Sequence, residues 1–167
     1  DIIYYKGKNV IGLPLLERKS LLEDLIPEDT PLITKIKYIT GHGIELFESV
    51  QNLGLEGVVL KNTESKYEHR RSANWLKVIN YSYENVFMTG LRKKEFGVLL
   101  SFSNGKAAGV IEFMKREDRA KLYRTAEKEK ETTDFIFFKD PIPCNVKFRN
   151  YLKSGKLRIP TLNCWLD

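Results

Sequence analysis

Two charged residues stand beside apolar runs of strand character, where an unpaired charge is costly. Glu56 precedes the run "GVVLK", and Lys77 interrupts the run "WLKVI". A carboxylate at the end of a strand is the kind of oxygen ligand that hard divalent cations prefer, and phosphate is the natural partner of a lysine that projects into the same cleft. Together the two residues predict a nucleotide site. The alternatives are a glutamate that only begins a strand and a lysine whose ammonium reaches solvent.

The two runs are joined by a polar, basic segment over residues 62–73. We expect four of its side chains to contact a nucleic-acid backbone: Lys66, Arg70, Arg71 and Ser72. The residues Val58–Leu60 are apolar without alternation, which predicts a strand buried on both faces in the middle of a sheet.

The net charge of +6 is unevenly distributed over the 167 residues. Residues 1–81 hold 11 basic and 11 acidic residues, whereas residues 82–167 hold 17 and 11. A basic half suits a polyanion, of which nucleic acid is the commonest in a cytoplasm, and Arg92, Lys93 and Lys94 are candidate DNA contacts there. The alternative is that the excess lysines only keep the protein soluble.

The composition, with 42% hydrophobic and 30% charged residues, is that of a globular protein. No apolar run approaches 18 residues and no signal peptide is evident, so we expect a cytoplasmic protein without a membrane span. Cys144 and Cys164 share no metal-ligand spacing with His42 or His69, which favours reduced structural thiols over zinc.

The pattern of the first half is typical of an α/β or α+β arrangement. It opens abruptly on "IIYYKGKNV", as if within a larger protein, with a turn signal at Lys6–Asn9. The patterns then predict an amphipathic helix over 13–26, a half-exposed strand over 31–40, a helix over 43–54 that ends at Gly54, and strands over 55–60 and 74–81.

The pattern of the second half is typical of short strands around one charged helix. The patterns predict strands over 86–91, 96–103 and 106–114, a helix over 115–131, and strands over 134–138 and 144–152. Asn104-Gly105 is a hairpin signal, and Ser154-Gly155 predicts a second turn. Three strands, a helix and two strands is the order of a five-stranded OB barrel, a fold that commonly binds oligonucleotides.

The combination "EGVVLK" and "SKYEHRRSANWLKV" resembles the fourth and fifth nucleotidyltransferase motifs of ATP-dependent DNA ligases, especially the small bacterial and phage enzymes. The upstream "DIIYYKGKNVIGLPLLERKSLL" is similar to the segment that precedes those motifs, and "VKFRNYLKSGKLRIP" is similar to the final strands.

The resemblance implies an α+β chain: the C-terminal part of an ATP-grasp-like nucleotidyltransferase (adenylation) domain over 1–81, a hinge near 80–83, and an OB-fold DNA-binding domain over 82–167. By this resemblance Glu56 would hold Mg²⁺ or Mn²⁺, Lys77 would contact the α-phosphate of ATP, and Lys61 would also bind the nucleotide. The parent enzyme would seal nicks through a lysyl-AMP and a DNA-adenylate. Its partners would be nicked or broken duplex DNA and the missing N-terminal half, and it would be a monomer.

The chain departs from the family in ways that limit its expected activity. The nucleophile of the family lies in a Lys-x-Asp-Gly motif, and this sequence contains no Asp-Gly. Ile79 stands where a second lysine is frequent, and the chain ends in "NCWLD" rather than Arg-x-Asp-Lys. We therefore expect no self-adenylation by this chain alone. The alternatives left open are a non-catalytic OB-fold module that binds nucleic acid and a relative of mRNA-capping guanylyltransferases.

Overall fold

The computed structural model describes residues 1–166, which divide into two compact units at the Ile79–Asn80 junction. The first unit contains two antiparallel strand pairs and two helices. Its elements are β1 (Tyr4–Tyr5), β2 (Lys8–Asn9), α1 (Leu15–Leu25), α2 (Gly43–Asn52), β3 (Gly57–Lys61) and β4 (Trp75–Ile79).

Local turn and cap signals of the first unit are confirmed. The β1–β2 turn places Lys6 and Gly7 at φ values of 47° and 77°, the left-handed pair that a tight hairpin turn requires. At the end of α2, Gly54 has a φ of 63°, and the Leu55 N–H donates to the Val50 carbonyl at 2.9 Å. This is the hydrogen-bond pattern by which a glycine terminates a helix.

The predicted strand over 31–40 is wrong. The segment contains no strand, and Leu32 and Ile36 are 94% and 88% exposed. It is held by local bonds instead: the Thr30 N–H donates to the Ile33 carbonyl, and the Lys35 N–H donates to Asp29 Oδ1. Alternation marks a surface that can pair, but a strand also needs a neighbour, and none pairs with this segment within residues 1–166.

The prediction that the Val58–Leu60 run is buried on both faces is also wrong for this chain. Among the described residues β3 pairs only with β4, so that the two form a separate antiparallel sheet, and Val59 and Leu60 are 51% and 42% exposed. Helix α2 reaches this sheet, since a Cβ atom at Gly43 would lie 3.5 Å from Leu60 Cδ2, but it leaves Val59 and Leu60 about half exposed.

The second unit is built on one twisted antiparallel sheet and one helix. Its elements are β5 (Ser82–Arg92), β6 (Gly97–Ser101), β7 (Ala107–Ile111), α3 (Arg116–Thr125), β8 (Lys128–Glu131), β9 (Phe135–Phe148) and β10 (Thr161–Trp165). The strand order is β10-β9-β5-β6-β7, with β8 paired to β9 outside this path.

Both predicted turns of the second unit are confirmed. At each, the chain folds back through a glycine in the left-handed region, Gly105 at φ 76° and Gly155 at φ 78°. Hydrogen bonds from the Phe102 N–H to the Lys106 carbonyl and from the Leu152 N–H to the Lys156 carbonyl close the two loops.

Two boundaries in the second unit differ from prediction. The charged run predicted as helix to residue 131 leaves the helix after Thr125, and Lys128–Glu131 pairs with β9. The strands predicted over 134–138 and 144–152 are one strand, β9, whose register against β5 shifts between Met88 and Gly90. Such a bulge lets a long strand bend and remain paired.

The core of the second unit lies on one face of this sheet. Met88, Val98, Val146 and Phe148 are at most 1% exposed, and Leu122 of α3 packs against the same cluster. The helix therefore supplies the layer that covers the apolar face of the strands.

In the described part of the chain, strand pairing does not close the sheet into a barrel. Near its open side, however, the Leu157 N–H donates to the Ala108 carbonyl, and the Arg149 N–H donates to the Arg158 carbonyl. The segment around Leu157 thus bonds to β7 on one side and to the chain just after β9 on the other. No helix within residues 1–166 is both long and apolar enough to cross a membrane.

Candidate nucleotide site

Glu56 and Lys77 meet at the paired strands of the first unit. Lys77 lies on β4 opposite Val59, while Glu56 immediately precedes β3. The Lys77 ammonium donates to Glu56 Oε1 at 3.2 Å, and the side chains are 54% and 38% exposed, respectively. An ion pair this exposed is worth at most about 1 kcal/mol, so a phosphate or a cation can displace it at little cost. The arrangement therefore offers one acceptor and one cation side by side.

Gly57 gives the chain the backbone geometry needed beside Glu56. Its φ is 145°, and a Cβ atom there would lie 2.1 Å from the Val78 carbonyl oxygen. No real side chain tolerates this approach, so the glycine is what allows β3 to begin against β4 directly after the carboxylate.

Lys61 lies on the same face of the strand pair as Lys77, opposite Trp75. Its ammonium lies 3.6 Å from the centroid of the Trp75 ring. Burial lowers the pKa of Lys61, and the nearby charges of Lys19 and Arg18 lower it further. The predicted nucleotide-binding lysine is therefore in a partly desolvated, electropositive position where an anion would relieve charge repulsion.

A cavity of about 880 Å³ lies beside Lys77. It is lined by Lys66, Tyr67, Glu68, His69, Arg70, Arg71, Ser72, Asn74, Trp75 and Lys77. The structure thus brings all four predicted backbone-contact residues of the loop into one cavity with Lys77, while Glu56 and Lys61 lie outside its lining.

Glu68 organises this loop, although it is not among the predicted site residues. Its carboxylate accepts from Arg70 Nε at 2.9 Å and from Asn74 Nδ2 at 3.0 Å. The bond from Arg70 is the largest cause that lowers the pKa of Glu68, followed by those from Ser72 and Asn74. The sequence signal that could have identified Glu68 is its position as an acidic residue inside the basic run "KYEHRR".

Arg18 joins three distant segments of the first unit, and it too was missed. The guanidinium is fully buried and donates to both carboxylate oxygens of Asp1, at 2.9 and 3.0 Å, and to the Ser65 carbonyl at 3.0 Å. These bonds, with the bidentate geometry of the first pair, fix the beginning of the chain and the beginning of the cavity loop to α1. The available signal was its place in "LPLLER", within the upstream segment that is similar to DNA ligases.

The three candidate DNA contacts of the second unit are engaged with carboxylates. Arg92 lies 3.5 Å from Glu112, Lys93 lies 2.7 Å from Glu131, and Lys94 lies 3.0 Å from Asp134. A polyanion would have to compete with these partners.

No cluster of three or more carboxylate, histidine or cysteine side chains that could hold a metal exists among residues 1–166. Glu56 supplies a carboxylate next to the Lys77 ammonium. This donor set fits Mg²⁺ in a nucleotide complex, because Mg²⁺ keeps several waters and is commonly held by one or two carboxylates together with substrate phosphates.

Comparison with known proteins finds similarity to DNA ligases. Residues 1–78 match the family model described as the ATP dependent DNA ligase domain. The SPbeta prophage-derived DNA ligase-like protein LigB of Bacillus subtilis (strain 168) is 42% identical over 166 residues, covering 99% of this chain and 61% of the relative. The bifunctional non-homologous end joining protein LigD of the same organism is 29% identical over 174 residues, covering 95% of this chain and 28% of the relative.

Solved structures agree at the level of the fold. A structure described under "DNA binding with a minimal scaffold: Structure-function analysis of Lig E DNA ligases" aligns with a TM-score of 0.64 at 19% identity, covering 94% of this chain and 60% of that one. The chain thus spans less than two thirds of these relatives.

Proposed function

We propose that this chain is the nucleotide-phosphate and DNA-binding part of an ATP-dependent ligase that seals nicks in duplex DNA, because residues 1–78 match the ATP-dependent DNA ligase domain. The observation that carries the proposal is the Glu56–Lys77 pair, 3.2 Å apart beside the basic cavity. It combines a metal-ligand carboxylate and a phosphate-binding cation where family membership makes ATP the expected ligand.

The residues of the chain would divide the work at the nucleotide. Lys77 would leave Glu56 to bind the α-phosphate, and Lys61 would add positive charge to the same sheet face. Glu56 would hold Mg²⁺ or Mn²⁺, whose charge offsets the negative charge that develops at the phosphoryl group. Proteins catalyse phosphoryl transfer mainly by positioning the reacting groups and by stabilising the charge of the transition state.

The basic cavity would hold the DNA backbone. Lys66 and Arg71 line it together with Arg70, which Glu68 holds in place. Because these groups share the cavity with Lys77, a DNA end bound there would approach the nucleotide phosphates. Arg92, Lys93 and Lys94 stay a prediction as further contacts.

The second unit would be an OB-type barrel. Its sheet order and the hydrogen bonds of Leu157 and Arg149 across its open side support this assignment, since they bring β7 and the end of β9 to a common segment. The assignment of residues 1–81 to the adenylation domain and 82–167 to the OB domain is part of the same proposal.

The nucleophilic lysine would belong to a preceding half of the ligase. Two observations support this: the sequence has no Asp-Gly, and β3 and β4 expose apolar residues such as Val59 and Leu76, which further strands or layers would cover. The preceding half would pack on these strands and complete the nucleotide site.

Calorimetric titration of this chain with ATP and Mg²⁺ tests the phosphate site. We expect binding that weakens in Lys77→Gln and Glu56→Gln but not in the matched controls Lys37→Gln and Glu64→Gln, which remove the same charges from exposed positions of the same unit. Equal affinity in all five proteins would overturn the roles of Glu56 and Lys77.

Intact-mass measurement after incubation with ATP and Mg²⁺ tests whether the nucleophilic lysine lies outside this chain. We expect no covalent AMP on this chain. A gain of one AMP would show that the nucleophile is within residues 1–167.

A further inference from the structure

The positive charge of the second unit is concentrated in one short segment. Residues 82–140 hold 12 basic and 10 acidic residues, whereas residues 141–167 hold five basic residues and one acidic residue, Asp167. The five are Lys147, Arg149, Lys153, Lys156 and Arg158. All lie within residues 147–158, here called the basic hairpin.

The basic hairpin has a defined backbone. The Leu152 N–H donates to the Lys156 carbonyl at 2.8 Å, and the Arg158 N–H donates to the Asn150 carbonyl at 2.9 Å. At its base Leu157 is 3% exposed and its N–H donates to a carbonyl of β7 at 2.8 Å. The charges are therefore presented from a fixed framework, which lowers the entropic cost of binding.

Two lysines at the tip are available to a partner. Lys153 and Lys156 are exposed on either side of the Ser154–Gly155 turn, and within residues 1–166 neither lies within 4.0 Å of a carboxylate. By contrast, Arg92, Lys93 and Lys94 all have acidic partners. A polyanion can therefore reach the tip lysines without displacing an ion pair.

The sheet face that leads into the hairpin carries groups suited to nucleotides. Asn145 Nδ2 donates to Asn85 Oδ1 at 2.7 Å, and Asn163 Nδ2 donates to Asn145 Oδ1 at 3.0 Å, which forms a row of amides across β5, β9 and β10. Lys147 is two positions from Asn145 on the same face, and its ammonium lies 5.1 Å from the Tyr81 ring centroid. Amides can hydrogen-bond to base edges, and lysines bind phosphates.

We propose that the basic hairpin and the amide row beside it form the principal nucleic-acid contact of the second unit, with Lys153 and Lys156 on backbone phosphates. The proposal rests on the proposed function only for the choice of duplex DNA as the polyanion. The lysines alone would be enough to bind an anionic membrane, whereas the row of amides favours a ligand with hydrogen-bonding edges.

Fluorescence anisotropy with a labelled nicked duplex, measured over a series of salt concentrations, tests this surface on the full 167-residue chain. The variant Lys153→Ala/Lys156→Ala is compared with Lys106→Ala/Lys115→Ala, which removes the same charge from exposed positions of the same unit. The slope of log affinity against log salt should shrink by about 0.9 for each phosphate that is no longer neutralised. We therefore expect it to shrink by about two in the hairpin variant and to stay near that of the unmodified chain in the control.

The possible outcomes distinguish a specific contact at the basic hairpin from a general effect of positive charge. Equal losses of affinity in both variants, or a larger loss in the control, would overturn the proposal, as would binding to phosphatidylglycerol vesicles as tight as to the duplex. Thermal unfolding checks that both variants fold, and titration with ATP and Mg²⁺ reports on Lys77 independently. Loss of duplex binding with intact ATP binding confirms the hairpin, whereas absent ATP binding in the unmodified chain counts against the proposed function alone.

Discussion

The two units of this chain bury their apolar residues to very different extents. Among residues 1–166, 14 of the 18 buried hydrophobic residues belong to the second unit, while 16 of the 23 exposed large ones belong to the first. The second unit folds its apolar strands onto one another and onto α3. In the first, β3 and β4 pair with no further strand among residues 1–166. An apolar run therefore predicts burial only where the same chain supplies the covering layer.

Replacing a leucine by alanine should have very different consequences in the two units. Leu100 of β6 is 2% exposed and Leu76 of β4 is 54% exposed. Leu100→Ala should lower the free energy of unfolding of the second unit by about 2–5 kcal/mol, because it leaves a cavity in a packed core. Leu76→Ala should change stability by no more than about 0.5 kcal/mol. Urea denaturation followed by fluorescence measures both, and equal losses would remove the contrast between the units.

A smaller effect tests whether the β3–β4 pair depends on its glycine. Gly57→Ala forces a Cβ atom against the Val78 carbonyl, so it should cost more than about 1 kcal/mol and weaken binding of ATP and Mg²⁺. Gly12→Ala is the matched control, since a Cβ atom there meets nothing within 4 Å. Amide hydrogen exchange of β3 and β4 reports the change locally. Unchanged exchange in Gly57→Ala would show that the first unit tolerates a shift of these strands.

The order of the cavity loop should depend weakly on pH. Because bonds from Arg70, Ser72 and Asn74 lower the pKa of folded Glu68, its contribution to loop order is complete above the ordinary pKa of a glutamate and is lost as the pH falls through the folded pKa. NMR of the Arg70 Nε–H group should show the bond at neutral pH and its loss in acid. Glu68→Gln should resemble the acid form at every pH. An Arg70 signal that is insensitive to both changes would show that Glu68 does not hold the loop.

Features encoded by neighbouring residues were predictable, and those that depend on distant partners were not. The turns at Lys6–Gly7, Asn104–Gly105 and Ser154–Gly155 follow from local turn chemistry and glycine conformation. The strand expected over 31–40 failed because pairing requires a neighbour that its own residues cannot specify. The prediction of two strands where β9 is continuous failed for a related reason. Only the pairing with β5 shows that the chain bends there and stays in one strand.

The candidate site divides in the same way. Glu56 and Lys77 could be chosen from charge next to apolar runs, because the cost of an unpaired charge there is a local property. Their approach to within 3.2 Å depends on the β3–β4 register, and the roles of Glu68 and Arg18 depend on bonds to residues elsewhere in the chain. Patterns in a sequence identify groups capable of chemistry more readily than the groups that position them.

The hydrogen bond from Leu157 to Ala108 has a consequence for truncated forms of the protein. β7 is an edge strand of the sheet, and this bond covers part of its free edge. A polypeptide that stopped before Leu157 would leave that edge open to pairing with other chains, which is a common route to aggregation. Such a truncation should therefore reveal itself first as poor solubility, before any defect in ligand binding can be measured.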